Sequence, residues 1–306
     1  MSSNNSPDMP IRPPLRSLLF IPGTKTEWLA GAEAAGADAV IFDLEDAVPD
    51  RDKTLARDRV VEAVQQASDA PTRTALFVRV NPLDSWASTE ELRAIVGPGL
   101  AGLVVPKVRS VHDVRLADHL LGWCEREHDL PEGTVALVPV LETARSLHEA
   151  YDIATATSRV AYLGALTGSG GDVERAIGYR WSPGGTETLA LRCRLLLDAR
   201  AAGSPNPVTG LWTRITDLDG LRAFAEQNRS LGYEGMMAIH PSHVPIINET
   251  FSPDPDELAR YTRLIAAVEQ AQANGDGAVT FEGEMVDEAM AATARLILQR
   301  HNPESA

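Results

Sequence analysis

Cysteine is nearly absent: the chain carries Cys124 and Cys193 alone. Neither belongs to a CxxC pair or a Cys/His cluster, which excludes a disulfide framework and a zinc site. No apolar run approaches the roughly 18 residues of a membrane span, and positions 1–14 lack the apolar core of a signal peptide. Lysine is also scarce. Of 28 basic residues only Lys25, Lys53 and Lys107 are lysine, and the remaining 25 are arginine. Codon bias toward arginine explains the scarcity but not why these three positions keep lysine. No basic run exists to offset the net charge of −15, so a phosphate backbone or an acidic membrane surface is repelled. The expectation is a cytoplasmic protein with neither nucleic-acid nor membrane partners.

What remains is an ordinary globular composition, 44% hydrophobic and 23% charged over 306 residues. A chain of this size buries enough core to need no staples. It fits one large domain with an appendage as well as two domains. The polar stretch at the start reads as a mobile tail over 1–14. No internal repeat is visible.

Short apolar runs recur, each ending at a turn or a charged residue. They span 17–21, 39–42, 75–80, 102–105, 135–141, 160–163, 207–209 and 236–239, the seventh being weak. Between them lie stretches with helical spacing: 27–35, 53–67, 88–95, 111–128, 143–157, 187–202 and 218–231. Near-continuous apolar strands alternating with helices predict a parallel sheet covered on both faces. Eight such units predict an α/β fold of the (β/α)8 TIM-barrel type over 15–250. The competing arrangement is an open doubly wound sheet, but no GxGxxG follows the first strand. After Phe251 a Ser-Pro-Asp-Pro breaker leads into a helical extension over 251–306, with helices expected at 256–273 and within 283–300.

Barrel enzymes carry their active sites at the C-terminal ends of the strands. Reading the residue after each apolar run gives Pro22 and Gly23, then Asp43, Glu45 and Asp46, then Arg79 and Asn81, Lys107, Glu142, Asp172 and His240. This convergence of polar groups on one rim points to an enzyme. Clustered carboxylates repel one another, and a divalent cation relieves the repulsion. With only oxygen donors on offer, Mg2+ or Mn2+ is expected. Ion pairs to Lys53, Arg57 or Arg16 are the alternative fate of Asp43, Glu45 and Asp46. Arg79 faces two fates: a bidentate grip on a substrate carboxylate, or a salt bridge to a rim acid. The glycine-rich run 164–171 lacks the GK[ST] ending of a P-loop and reads as an active-site loop. His240, before Pro241, is a base or a structural hydrogen-bonder.

Several segments together resemble the citrate lyase β-subunit-like group of the HpcH/HpaI aldolase superfamily. They are RSLLFIPG at 16–23, FDLEDAV at 42–48 with Lys53 and Arg57, VRVN at 78–81, VPK at 105–107, PVLETA at 139–144, AIHPS at 238–242, NETFSP at 248–253 and GEMVD at 283–287. The resemblance implies a Mg2+-dependent lyase acting on β-hydroxyacyl-CoA esters such as malyl-, methylmalyl- or citramalyl-CoA. The products are a small oxo acid and an acyl-CoA; condensation is the reverse reaction. Glu142 and Asp172 are implied as metal ligands, with Asp43, Glu45 and Asp46 behind them. Arg79 is implied for the oxo-acid carboxylate. Arg16, Pro22, Gly23, Lys25, Asn81, Lys107 and His240 are expected near the thioester or CoA.

The resemblance also implies that Asp287 acts as an acid reaching a neighbouring subunit's site, in a homotrimer or homohexamer. The loop between Gly164 and Asp172 is longer than the family's Gly-x-x-Asp-Leu pattern, and Val173 replaces the leucine. Three alternatives stay open: a thioester hydrolase on the same scaffold, a CoA-independent 2-oxo-acid aldolase, and a non-catalytic subunit of a lyase complex.

Overall fold

The computed structural model describes residues 14–70, 72–164, 166–204 and 206–301. Apart from Pro14, the tail expected over 1–14 lies outside the described residues. Eight parallel strands run β1 (Ser17–Pro22), β2 (Ala39–Asp43), β3 (Ala75–Arg79), β4 (Gly102–Val105), β5 (Ala136–Pro139), β6 (Tyr162–Leu163), β7 (Asn206–Thr209) and β8 (Gly235–Ala238). They lie side by side in the order β5-β4-β3-β2-β1-β8-β7-β6. Parallel bridges Leu137↔Val160 and Val140↔Gly164 join β5 to β6 and close the ring into a (β/α)8 TIM barrel. The weak seventh run is a strand, one residue longer than its sequence signal because Asn206 pairs with Tyr162 of β6.

The helices are α1 (Leu29–Ala34), α2 (Lys53–Asp69), α3 (Trp86–Ile95), α4 (Val111–Glu127), α5 (Ala144–His148), α6 (Ala150–Ala154), α7 (Asp172–Ile177), α8 (Thr186–Ala201), α9 (Leu218–Leu231) and α10 (Val244–Phe251). Each strand lies between two apolar layers, and the residues divide strictly by parity. Leu18, Ile41, Phe77, Val104, Val138 and Met237 form one buried cluster. Their chain neighbours Leu19, Val40, Val78, Leu103, Leu137 and Met236 belong to another, with the helices. Alternate side chains of a strand point to opposite faces, so the first cluster fills the barrel lumen and the second is the sheet–helix layer. In the lumen Phe77 meets Tyr162 edge-on at 5.7 Å between ring centroids. Gly102 makes room for it, because a Cβ there would lie 2.2 Å from the Phe77 ring.

The helix expected over 143–157 is two short ones meeting at Glu149. The chain divides after Phe251 into two compact units. The second contains α11 (Pro255–Ala273), an antiparallel hairpin of β9 (Ala278–Phe281) and β10 (Glu284–Asp287), and α12 (Glu288–His301). The extension is therefore not purely helical. Its own small core is Leu264, Val268, Val286, Ala291 and Ala294. Among the described residues no helix is long and apolar enough to cross a membrane.

The β5–β6 seam has single bridges rather than a ladder, and a buried ion pair reinforces its N-terminal end. Arg159 Nη1 and Nη2 each donate to Glu125 at 2.6 Å, and the backbone N–H groups of Gly133 and Val135 donate to the same carboxylate. Burial alone would raise the Glu125 pKa, but Arg159 and these N–H groups hold it below its ordinary value. Removing Glu125 takes both terminal nitrogens of the buried Arg159 out of their pair and leaves it Asp118, which Nε meets at 2.5 Å. Glu125→Ala is expected to lower unfolding stability by about 3–5 kcal/mol in urea titrations near neutral pH. A depressed carboxylate stabilises the fold above its unfolded pKa and loses that contribution as pH falls through its folded value. The gap between wild type and variant should therefore narrow in acid.

Candidate active site

Lumen parity extends past the strand ends and carries charge into the barrel mouth. Asp43 continues the Ala39–Ile41 row, Arg79 the Phe77 row, and Glu142 the row through Val138 and Val140. Asp43 and Arg79 are register partners on adjacent strands. Arg79 Nε donates to Asp43 Oδ1 at 2.7 Å and Nη2 to Oδ2 at 2.5 Å, a bidentate pair. Its Nη1 lies 3.1 Å from Glu45 Oε2, and its guanidinium sits 5.0 Å from the centre of the Phe20 ring. Burial pulls the Arg79 pKa down, but Asp43 and Glu45 hold it above its ordinary value.

The salt-bridge fate of Arg79 is thus realised, yet the side chain is not exhausted. Five N–H donors serve three contacts, leaving hydrogens on the Nη1/Nη2 edge. Asp43 is fully engaged, because Glu45 N and Ala47 N also donate to it at 2.9 and 3.0 Å. It builds the loop rather than facing a ligand.

Glu45 is buried, at 3% exposure. Its oxygens are held by charge: Arg79 on one side and Lys107 Nζ, 2.6 Å from Oε1, on the other. Lys107 also reaches Asp46 at 3.3 Å, and its backbone takes a positive φ of 52°. That turn aims the Lys107 N–H at Glu142 Oε1, 3.2 Å away. Glu142 is 6% exposed, and burial, aided by the nearby Glu45 charge, raises its pKa. A buried carboxylate with one N–H donor is a fitting anchor for a divalent ion. Asp172 starts α7, and its carboxylate pairs with Arg175 one turn on. Among the described residues no three His, Cys, Asp or Glu side chains form a metal cluster. A divalent ion held here would take at most two of these side chains and be completed by water and substrate oxygens, as Mg2+ commonly is.

Arg16 lies away from the rim, whereas Asn81, Gly23 and His240 stand at it with protein contacts of their own. Arg16 precedes β1, so it stands at the strand's N-terminal end, about 20 Å from the rim at 3.3 Å per residue. There it pairs with Asp38 through Nε at 2.9 Å and Nη2 at 2.7 Å. Asn81 is spent on protein: it donates to Glu91 through N and Nδ2, both at 2.8 Å, and accepts from Lys53 Nζ at 2.9 Å. Gly23 is needed for packing, since a Cβ would lie 2.8 Å from Leu44 Cδ2 and 3.0 Å from the Asp43 carbonyl oxygen. His240 Nδ1 accepts from Ser242 N at 3.2 Å and lies 2.7 Å from Ser242 Oγ, capping the turn Pro241–His243. That is the structural role open to it from the sequence.

Lys25 follows β1 at the rim, half exposed, with a loose 3.9 Å contact to Glu27. Asp287 ends β10 in the second unit and accepts from Met290 N at 3.2 Å. Sequence reasoning missed Glu91, whose signal was position: it shares the buried face of α3 with Ser88, Leu92 and Ile95.

A closed parallel barrel with a carboxylate, arginine and lysine network in its mouth has the build of a barrel enzyme. Comparison gives the particular kind. The pattern "HpcH/HpaI aldolase/citrate lyase" matches residues 16–241, and the chain belongs to that enzyme family. A citrate lyase subunit beta-like protein of Deinococcus radiodurans is 36% identical over 287 residues, covering 93% of this chain and 96% of the relative. A (3S)-malyl-CoA thioesterase of Cereibacter sphaeroides is 36% identical over 290 residues, 94% of each chain. Among solved structures, CitE of Mycobacterium tuberculosis in complex with magnesium, acetoacetate and coenzyme A superposes with a TM-score of 0.70. It is 28% identical and covers 94% of this chain and 97% of its own.

The network makes a stability prediction. Asp43→Ala leaves Arg79 without its bidentate partner and frees the loop N–H groups. A loss of about 3–5 kcal/mol is expected in chemical denaturation. A loss below about 1 kcal/mol would mean that the pair is not the anchor of the mouth.

Proposed function

We propose that this chain is a Mg2+-dependent carbon–carbon lyase of β-hydroxyacyl-CoA esters, giving an oxo acid and an acyl-CoA, or condensing them. The observation that carries the reading is the mouth itself. A buried carboxylate (Glu142) feels the charge of an arginine fixed by Asp43 and Glu45, with a donor edge left over. Support comes from relatives that pair magnesium with coenzyme A and small oxo acids, and from the citrate lyase relatives.

In this reading Glu142 and Asp172 hold Mg2+, with Asp172 exchanging Arg175 for the ion. When bound, the metal offsets negative charge on the substrate oxygens. The Nη1/Nη2 edge of Arg79 grips the substrate's terminal carboxylate, and the Asp43 pair keeps the guanidinium from swinging. A base takes the β-hydroxyl proton, and as that oxygen becomes the oxo acid's carbonyl the bond between the α- and β-carbons breaks. Its electron pair passes into the thioester as an enolate, which is then protonated at the α-carbon. Asp287 is the acid proposed for that proton, acting within a homo-oligomer. Lys25 is the cation on the β1 side of the rim; Arg16, at the other end of the strand, takes no part.

A second reading is favoured by the malyl-CoA thioesterase relatives. In it water adds to the thioester carbonyl and the C–S bond breaks, releasing free CoA.

Product analysis separates the two. With Mg2+ and malyl-CoA, lyase chemistry yields glyoxylate and acetyl-CoA in equal amounts, whereas hydrolysis yields malate and free CoA. No product from a panel of β-hydroxyacyl-CoA esters would refute both. Glu142→Ala is expected to abolish turnover and Mn2+ binding by calorimetry. Arg16→Ala is expected to leave KM for the thioester unchanged, with a stability cost of at most about 1 kcal/mol for its half-exposed pair. A KM rise of tenfold in that variant would contradict its placement.

A further inference from the structure

We infer that Glu91 is a positioning residue that acts through Asn81 and Lys53 to fix the loop carrying Glu45 into the barrel mouth. Its catalytic consequence rests on the reaction proposed above; its structural consequence does not.

Glu91 lies in the middle of α3, 7% exposed, on the helix's buried face. A glutamate there is costly unless paired, and burial does raise its pKa. Among the described residues no cation bonds to it. Both oxygens instead accept from one residue, Asn81, through N and Nδ2 at 2.8 Å each. A carboxylate is an acceptor only, so it fixes which way the Asn81 amide faces. The amide oxygen must turn away, toward Lys53 Nζ at 2.9 Å. The other two donors of that ammonium go to the backbone carbonyls of Leu44 and Glu45, both at 2.7 Å.

All three Lys53 hydrogens are then used, and none is left for a ligand. The chain of acceptor, amide, ammonium and carbonyls ends on the loop that sets Glu45 between Arg79 and Lys107. This accounts for one of the three retained lysines. A guanidinium, planar and forked, cannot place three divergent donors on these acceptors.

The pattern of donors makes the inference testable, and a second change restores the net charge that the first one alters. Glu91→Gln offers an NH2 group to a partner that has only donors on that side. If Asn81 flips to accept it, its own NH2 faces the Lys53 ammonium, and the lysine loses its acceptor. Adding Asn81→Asp repairs the pattern: one oxygen of Asp accepts from Gln and the other from Lys53. The pair of changes restores the native charge count.

The experiment combines hydrogen–deuterium exchange of a peptide spanning 43–48 with steady-state kinetics on the full chain. In Glu91→Gln, exchange in that peptide should rise about tenfold and kcat should fall about 10- to 100-fold, with KM changed less than about threefold. The double variant Glu91→Gln/Asn81→Asp should return both readouts to within about threefold of wild type. Lys53→Met removes the last link without touching α3, and should raise exchange at 43–48 while leaving 86–95 protected; it decides the matter if Glu91→Gln does not fold. Wild-type exchange at 43–48 in Glu91→Gln or in Lys53→Met would overturn the inference. So would a double variant no better than the single. If the wild type shows no turnover with any thioester, the proposed reaction fails and the exchange data alone decide the relay.

Discussion

The constraint on which the rest depends is the partial burial of Arg79, whose side chain is 13% exposed. A guanidinium at the end of a barrel strand is tolerable only if anions meet it, and the fold supplies two. Asp43 comes from the neighbouring strand in register, and Glu45 from the loop that follows. Once these are in place, other features become consequences. Asp43 needs the N–H groups of Glu45 and Ala47, so the loop must curl tightly over its own strand end. Glu45, carried inward by that curl, needs a second cation, and Lys107 provides it from β4. Lys107 must turn through a positive φ to do so, which points its N–H at Glu142. One largely buried charge thus organises three loops and leaves Glu142, with one N–H donor, at the mouth.

Much of this architecture is legible in the sequence because the barrel enforces a simple rule. Strands covered on both faces are continuously apolar, and the first charged residue after each run marks the rim. The positions of Asp43, Arg79, Lys107 and Glu142 follow from that rule alone. It also explains the misplacement of Arg16. A motif groups residues by adjacency in sequence, but the strand β1 separates Arg16 from Gly23 by its whole length. Asn81 and His240 sit at the rim as expected, yet Asn81 and the Nδ1 of His240 are engaged by protein partners that sequence spacing does not display.

The β9–β10 hairpin was not legible for a different reason. Its turn places Glu282 and Gly283 at positive φ, 49° and 88°. Such turns normally announce themselves with Asn-Gly or Asp-Gly, and glutamate at the first position hides the signal. The split at Glu149 was hidden too, since helical spacing continues across it. Glu91 was readable in principle. A carboxylate on the same face as Leu92 and Ile95 is an anomaly, and buried carboxylates call for a partner.

The proposed reading, metal-assisted chemistry at a thioester within this family's barrel, takes Glu142 as its fixed point. The most direct measurement is anomalous scattering from crystals soaked in Mn2+ with an oxo acid. The account predicts one ion held by Glu142 and Asp172, with the Asp172–Arg175 pair opened and the acid's carboxylate on the free edge of Arg79. An ion bound elsewhere, or none at Glu142 at saturating Mn2+, would contradict it.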